Sequence, residues 1–189
     1  MDKSLIVKGS IKDVAKTNDT TLAVLDAKVV LLCDRSGSMT EEAWGHKPAF
    51  QLEDEVITKL QNKYPGQVVL VAFHDVAYTC LDGNLPPPMG STNMLDALRV
   101  AEPLHDAGLR IILISDGCPS HDENEVIRAA QKFTGNLETI FVGNEMSPGK
   151  DFLKRLSKAV GGSNQVADLK KGTQLLETRL NQLLLEAGK

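Results

Sequence analysis

An α/β fold of three layers, with helices on both faces of a mostly parallel sheet and one antiparallel edge strand, is predicted by two features of this chain. From Lys28 onward, short runs of apolar and β-branched residues alternate with longer stretches whose apolar residues recur at helical spacing, which is the pattern of strand–helix units. The exception is a pair of apolar runs, Gln67 to Phe73 and Val76 to Leu81, separated only by His74-Asp75. That pair reads as a hairpin adding a single antiparallel strand.

The elements follow in order. Residues 1–27 contain Leu5-Ile6-Val7, Ile11, Val14 and Leu22 to Leu25, enough for a short strand and a helix but too little for a core of their own. They are expected to be an extension packed on a main domain of residues 28–189. Lys28 to Asp34 is a buried strand. Thr40 to Lys47 is a connection, and a helix begins near Pro48, a residue favoured in a first turn, with Phe50, Val56, Ile57 and Leu60 on one side. After the hairpin, Pro86-Pro87-Pro88 stiffens a loop that leads to Thr92 and a helix over Asn93 to Leu104. Leu109 to Ser115 is a strand, Glu123 to Phe133 a helix, and Leu137 to Val142 a strand closed by Gly143. Asp151 to Val160 is helical, Gln165-Val166-Ala167 reads as a short edge strand, and Leu176, Leu180, Leu183 and Leu184 form the apolar stripe of a last helix.

Composition narrows the function. A chain of 189 residues is one domain, or one with an extension. Its net charge of −4 and lack of a basic stripe give no electrostatic reason to bind nucleic acid. No run approaches the roughly 20 apolar residues of a membrane span, and Lys8 and Lys12 interrupt the start where a signal peptide would be apolar. A cytoplasmic location is expected. The three cysteines, Cys33, Cys80 and Cys118, cannot all pair and fit a reducing compartment.

The chemistry gathers at strand ends, where ligands of open α/β sheets bind. Asp34-x-Ser36-x-Ser38 follows the first strand, with Gly37 permitting a tight turn. Asp116 follows Leu109 to Ser115, and Thr92 starts the helix between them. One carboxylate and two hydroxyls aimed at one point suit a hard divalent cation such as Mg2+ or Mn2+, although Asp and Ser at a strand end also simply cap turns. His46, His74, His105 and His121 share no CxxC or HxxH spacing with the cysteines, which argues against zinc. Cys118 reads as an ordinary loop cysteine rather than a nucleophile. Ser36 and Ser38 lack the GxSxG elbow of serine hydrolases, and no GxGxxG or GxxxxGK[ST] loop is present. Trp44, the only tryptophan, lies among Glu41, Glu42, Gly45, His46 and Lys47, so both a core and an exposed contact role stay open.

Taken together, Asp34-x-Ser36-x-Ser38, the Gly-Ser-Thr ending at Thr92 and the Ser-Asp-Gly containing Asp116 resemble the complete metal-ion-dependent adhesion site (MIDAS) of the von Willebrand factor type A family. The likeness runs from about Lys28 to the C-terminus. It departs from the common pattern at Asn93, where Asp usually follows the Thr, and at His74, where Ser or Thr is more frequent. The resemblance implies a Rossmann-like α/β/α fold and a non-enzymatic interaction module with metal ligands Asp34, Ser36, Ser38, Thr92 and Asp116. It implies Mg2+ or Mn2+, with Ca2+ a poorer fit, and a protein partner that supplies an Asp or Glu as the last ligand. Small cytosolic prokaryotic or phage members of this kind work with AAA+ ATPases, kinases or stress and defence systems. Trp44, His46, His74, Asp75, Ser91, Asn93 and Cys118 border the same strand ends and are expected to form the rim that meets the partner. A rival reading is a Mg2+-dependent phosphohydrolase resembling the haloacid dehalogenases. That family needs a second Asp two residues after the first, where this chain has Ser36, and a catalytic Lys. A third is a structural scaffold with a vestigial metal site.

Overall fold

The structure is a computed structural model that describes residues 6–15 and 20–187. Its strands are β1 Val29–Asp34, β2 Val68–Phe73, β3 Ala77–Thr79, β4 Arg110–Ser115, β5 Leu137–Phe141 and β6 Asn164–Val166. They form one sheet in the order β3-β2-β1-β4-β5-β6. Every pairing is parallel except that of β2 with β3, as the His74-Asp75 turn predicted.

The helices are α1 Ile11–Val14, α2 Thr20–Leu25, α3 Ala49–Lys63, α4 Met94–Asp106, α5 Glu123–Ala130, α6 Pro148–Ala159 and α7 Gln174–Glu186. Strands β1 and β2 are buried along their whole length, which explains their unbroken apolar sequence. Alternate residues of β1 enter different cores. Val30 and Leu32 pack with Leu98 of α4, Val126 of α5 and Phe152 of α6. Val29, Leu31 and Cys33 pack with Val56 and Leu60 of α3 and Leu176 and Leu180 of α7. The period-2 alternation of the strand thus builds both faces of the sandwich.

Register positions the site. Asp34 of β1 lies beside Phe73 of β2, and Cys33 beside Ile114 of β4. The chain leaves β1 toward β2 on one side and returns to β4 on the other, so β1 and β4 flank the topological switch point where such sheets open a crevice.

Several boundaries differ from expectation for local reasons. Helix α6 begins at Pro148 rather than Asp151, because the Ser147 side chain caps the Gly149 N–H at 3.3 Å and Pro148 suits the first turn. Strand β3 is confined to three residues, and α5 ends at Ala130 in a 3-10 turn over Gln131–Phe133. In the N-terminal segment, Leu5 lies outside the described residues, Ile6-Val7 is irregular, and two short helices follow. The segment is stitched on by Val7 N–H to Asp82 O and Lys12 N–H to Leu81 O, both 2.9 Å. Ile11 is buried in the same core as Val30. Among the described residues, no helix is long and apolar enough to cross a membrane.

Ile11 therefore belongs to the stability of the sheet domain. Ile11→Ala should lower the free energy of unfolding by about 2–5 kcal/mol, the range for truncating a buried aliphatic side chain. Urea denaturation measures it, and a loss below about 0.5 kcal/mol, the scale of a surface change, would show that the segment is not integral to the core.

Candidate metal centre

Asp34 ends β1 fully buried, and its two oxygens are used differently. Oδ1 accepts the Ser36 N–H at 2.8 Å, and Oδ2 accepts the Ser115 hydroxyl at 2.5 Å. Ser36 is extended, after which the chain tightens into a 3-10 turn over Gly37–Thr40. That turn brings Ser36 Oγ and Ser38 Oγ to 3.0 Å, and Ser38 Oγ donates to Asp116 Oδ1 at 2.9 Å. Asp34, Ser36, Ser38, Ser115 and Asp116 are thereby linked by a continuous set of polar contacts.

Thr92 lines the same groove as Ser38 and Asp116. It is latched to the Asp116 loop, since the Thr92 N–H donates to Ser120 Oγ at 2.8 Å and Thr92 O accepts the Ser120 N–H at 3.0 Å. The Pro-rich loop that delivers it is tied down along its length. Met89 N–H donates to Arg35 O at 2.8 Å and Gly37 N–H to Gly90 O at 3.1 Å. Ser91 donates to Asp75 Oδ1 from its N–H at 2.9 Å and its hydroxyl at 2.6 Å. Gly90, at φ +62°, lies so close to the Asp75 carboxylate that a Cβ would collide with it. On the far side, a Cβ at Gly143 or Gly149 would come within 2.7 Å of the Asp116-Gly117 backbone, so β5 and α6 press directly on that loop.

The electrostatics suit a cation. Burial raises the pKa of Asp34, and the hydrogen bonds from Ser115 and Ser36 together with nearby Arg35 restrain the rise. Asp116 is pushed up to about 6, first by burial and then by the Asp34 charge. Among the described residues, no Lys or Arg pairs with either carboxylate, and no group of three or more His, Cys, Asp or Glu could hold a metal. A cation here would have to draw on the three hydroxyls, a donor set of hard oxygens that fits Mg2+ or Mn2+.

The residues expected at the rim differ in their surroundings. Trp44 is 59 % exposed, and Gly45 and His46 beside it adopt positive φ in an exposed turn where His46 Nδ1 contacts Glu42 Oε1 at 2.6 Å. Cys118 lines the groove. Asn93 caps α4 by accepting the Asp96 N–H and uses its NH2 to reach Asp75 O at 2.9 Å, a bond that the more usual Asp could not donate. His74 is the exception, only 8 % exposed. Its Nδ1 accepts the Asp75 N–H at 2.7 Å and its ring meets Tyr78 edge-on, which turns it inward and leaves Asp75 at the surface.

Six residues contribute in ways the sequence did not announce. Ser115 and Ser120 act through hydrogen bonds that no spacing announces. Asn144, Ser147 and Lys170, from the loops after β5 and β6, form the far wall of a groove of about 340 Å³. Arg35, whose side chain is fully buried, pairs with Glu53 at 3.5 Å and with Asp54. Burial pushes Glu53 up to about 8 despite Arg35.

No protein-family model matches the chain, and no curated protein sequence matches it. Solved structures do. BatB from Bacteroides thetaiotaomicron superposes with a TM-score of 0.64 at 15 % identity, over 86 % of this chain and 98 % of its own. A von Willebrand factor type A protein from Catenulispora acidiphila gives 0.65 at 19 % identity, over 85 % of this chain and 43 % of its own. Proximal thread matrix protein 1 from the mussel byssus, with a zinc-occupied MIDAS motif, gives 0.56 at 16 % identity, over 85 % and 46 %. This chain thus spans less than half the length of the latter two. The likeness establishes the fold: a Rossmann-like von Willebrand factor type A fold.

The Asp116 shift sets a pH dependence. Between its ordinary value near 4 and about 6, the folded chain binds more protons at this site than the unfolded one. Without metal, the Asp116 contribution to stability therefore falls as pH rises through that window. A cation held by Asp116 would compete with the same proton, so any rise in melting temperature with Mg2+ should be larger at pH 7.5 than at pH 5. A metal response independent of pH across that range would contradict the role of Asp116.

Proposed function

We propose that this chain is a divalent-metal-dependent protein-interaction module whose MIDAS site takes an acidic residue of a partner. The observation that carries this reading is the contact set of Asp34, Ser36, Ser38 and Asp116, with Thr92 lining the same groove. In this reading Asp34, Ser36, Ser38, Thr92 and Asp116 hold Mg2+ or Mn2+. A structural neighbour with zinc in its MIDAS motif supports a divalent ion at this place in the fold.

The five residues do not enclose an ion alone, because their oxygens also bond one another and Ser38 is exposed to solvent. When bound, the cation supplies an electrophilic position for a partner carboxylate. The protein contributes preorganisation, since its ligands are fixed by hydrogen bonds before any partner arrives. Cys118 lines the groove, and Trp44, His46, Asp75, Ser91 and Asn93 on the neighbouring loops are proposed to meet the partner. The groove running toward Lys170 accommodates the side chain next to the acidic residue. Working in the cytoplasm beside an AAA+ ATPase, a kinase or a stress or defence component fits such a module. The residue two places after Asp34 is Ser36 rather than the second Asp that a haloacid-dehalogenase-like phosphohydrolase needs, which supports a binding rather than a hydrolytic role.

Millimolar Mg2+ should raise the melting temperature, since a ligand at a hundredfold excess over its Kd stabilises the folded state by about 2.7 kcal/mol. Asp34→Ala and Asp116→Ala should each abolish the rise, and an unchanged response in both variants would sink the assignment. A partner captured by the wild-type chain should be released by EDTA and should bind Trp44→Ala more weakly while that variant keeps its metal response. Capture indifferent to chelator would place recognition elsewhere. A phosphatase and esterase panel with Mg2+ should show no turnover, whereas activity lost in Asp34→Ala would favour the phosphohydrolase reading.

A further inference from the structure

Arg35 stands between two proposed ligands, Asp34 and Ser36, yet its side chain leaves the site. Asp34 meets Ser115 on the β4 side, whereas the Arg35 guanidinium passes into the layer between the sheet and α3. There Nη2 lies 3.5 Å from Glu53 Oε2 and contacts Asp54 Oδ1. Arg35 and Glu53 side chains are both wholly buried, while Asp54 reaches solvent.

The backbone of the same residue ties down two more elements. Its N–H donates to Phe73 O, the last residue of β2, at 2.7 Å, and its carbonyl accepts the Met89 N–H from the Pro-rich loop at 2.8 Å. One residue therefore connects β1, β2, α3 and the loop that carries Thr92. Displacing it would move Asp34 and Ser36 directly, and Thr92 through Met89 and Gly90.

As a source of stability this arrangement is poor. Arg35 Nε and Nη1 and both Glu53 oxygens make no hydrogen bond, and a buried ion pair that is incompletely bonded rarely repays its desolvation. An apolar pair of similar volume would fill the space as well. What it would not do is anchor the strand end by a directed contact to α3.

We infer that Arg35, fixed by Glu53 and Asp54, is a positioning residue for the metal centre, setting the spacing of Asp34, Ser36 and Thr92 and hence the affinity for the cation. This rests on the metal-binding reading above, and its test separates the two. Partners one step removed from a metal typically change its affinity 10- to 100-fold.

The discriminating variant is the double substitution Arg35→Met/Glu53→Leu, which replaces the buried pair by apolar side chains. Denaturation in chelator should leave the apo melting temperature close to wild type, because apolar replacement of the buried pair offsets the loss of the partly exposed Asp54 contact. Calorimetric titration with Mg2+ should nevertheless show affinity lowered about 10- to 100-fold. A merely structural role predicts the reverse, and a folded double variant that binds Mg2+ as tightly as wild type would overturn the inference. Should the double variant fail to fold, Asp54→Asn keeps both buried partners and removes only the solvent-reaching anchor. It should weaken Mg2+ measurably at a temperature where wild type and variant are both fully folded, and unchanged affinity there would equally overturn the inference. Absence of Mg2+ binding by the wild-type chain would instead overturn the proposed function, and this inference with it.

Discussion

Asp34 is a carboxylate removed from water at the end of a central strand, and the surrounding structure is organised by that condition. A buried negative charge is costly unless hydrogen-bonded or met by a positive charge. Here Ser36 and Ser115 provide the hydrogen bonds, but Ser115 ends β4 and Asp116 follows it immediately. The register of β1 against β4 therefore brings together two carboxylates that repel each other and shares one hydroxyl, Ser38, between the serine pair and Asp116. A fold that concentrates acid in this way, with no Lys or Arg salt bridge to either acid among the described residues, gains most when a small hard cation is present. The charge that would favour a cation is thus the charge that costs the fold stability without one, at the same two residues.

The loops that complete the site are not free connections. The Pro-rich loop is bonded to Arg35, Gly37 and Asp75, the Thr92 turn to Ser120, and the Asp116-Gly117 backbone packs on Gly143 and Gly149. Preorganisation of this kind lowers the entropic cost of binding. It also means that glycines far from the chemistry in sequence share in setting its geometry: a Cβ at Gly149 would displace the backbone of Gly117 rather than a flexible side chain.

Much of this was legible in the residues. Runs such as Val29 to Cys33 and Val68 to Phe73 are apolar on both faces, so their burial in a parallel sheet follows from composition, and the hairpin follows from the two-residue break at His74-Asp75. The five oxygen-bearing positions could be found because each sits at a strand or helix boundary. Less was readable where tertiary contacts decide. His74 looked like a rim residue, yet its ring turns inward to accept the Asp75 N–H. Asn93 looked like a departure from pattern, yet its amide supplies a donor to Asp75 O. Arg35 carried no signal in the sequence because its partners Glu53 and Asp54 lie on α3, where acidic residues normally face water. The loops after β5 and β6 contributed to the groove through spatial return, which carries no local signal.

The most direct test of the central claim is the position of a single ion. Crystals grown or soaked with Mn2+ and measured near the manganese absorption edge should show one anomalous peak within about 2.0–2.6 Å of oxygens from the Ser36, Ser38 and Thr92 side chains, with Asp34 and Asp116 contacting it directly or through water. A peak elsewhere on the chain, or none at this site at millimolar Mn2+, would contradict the account.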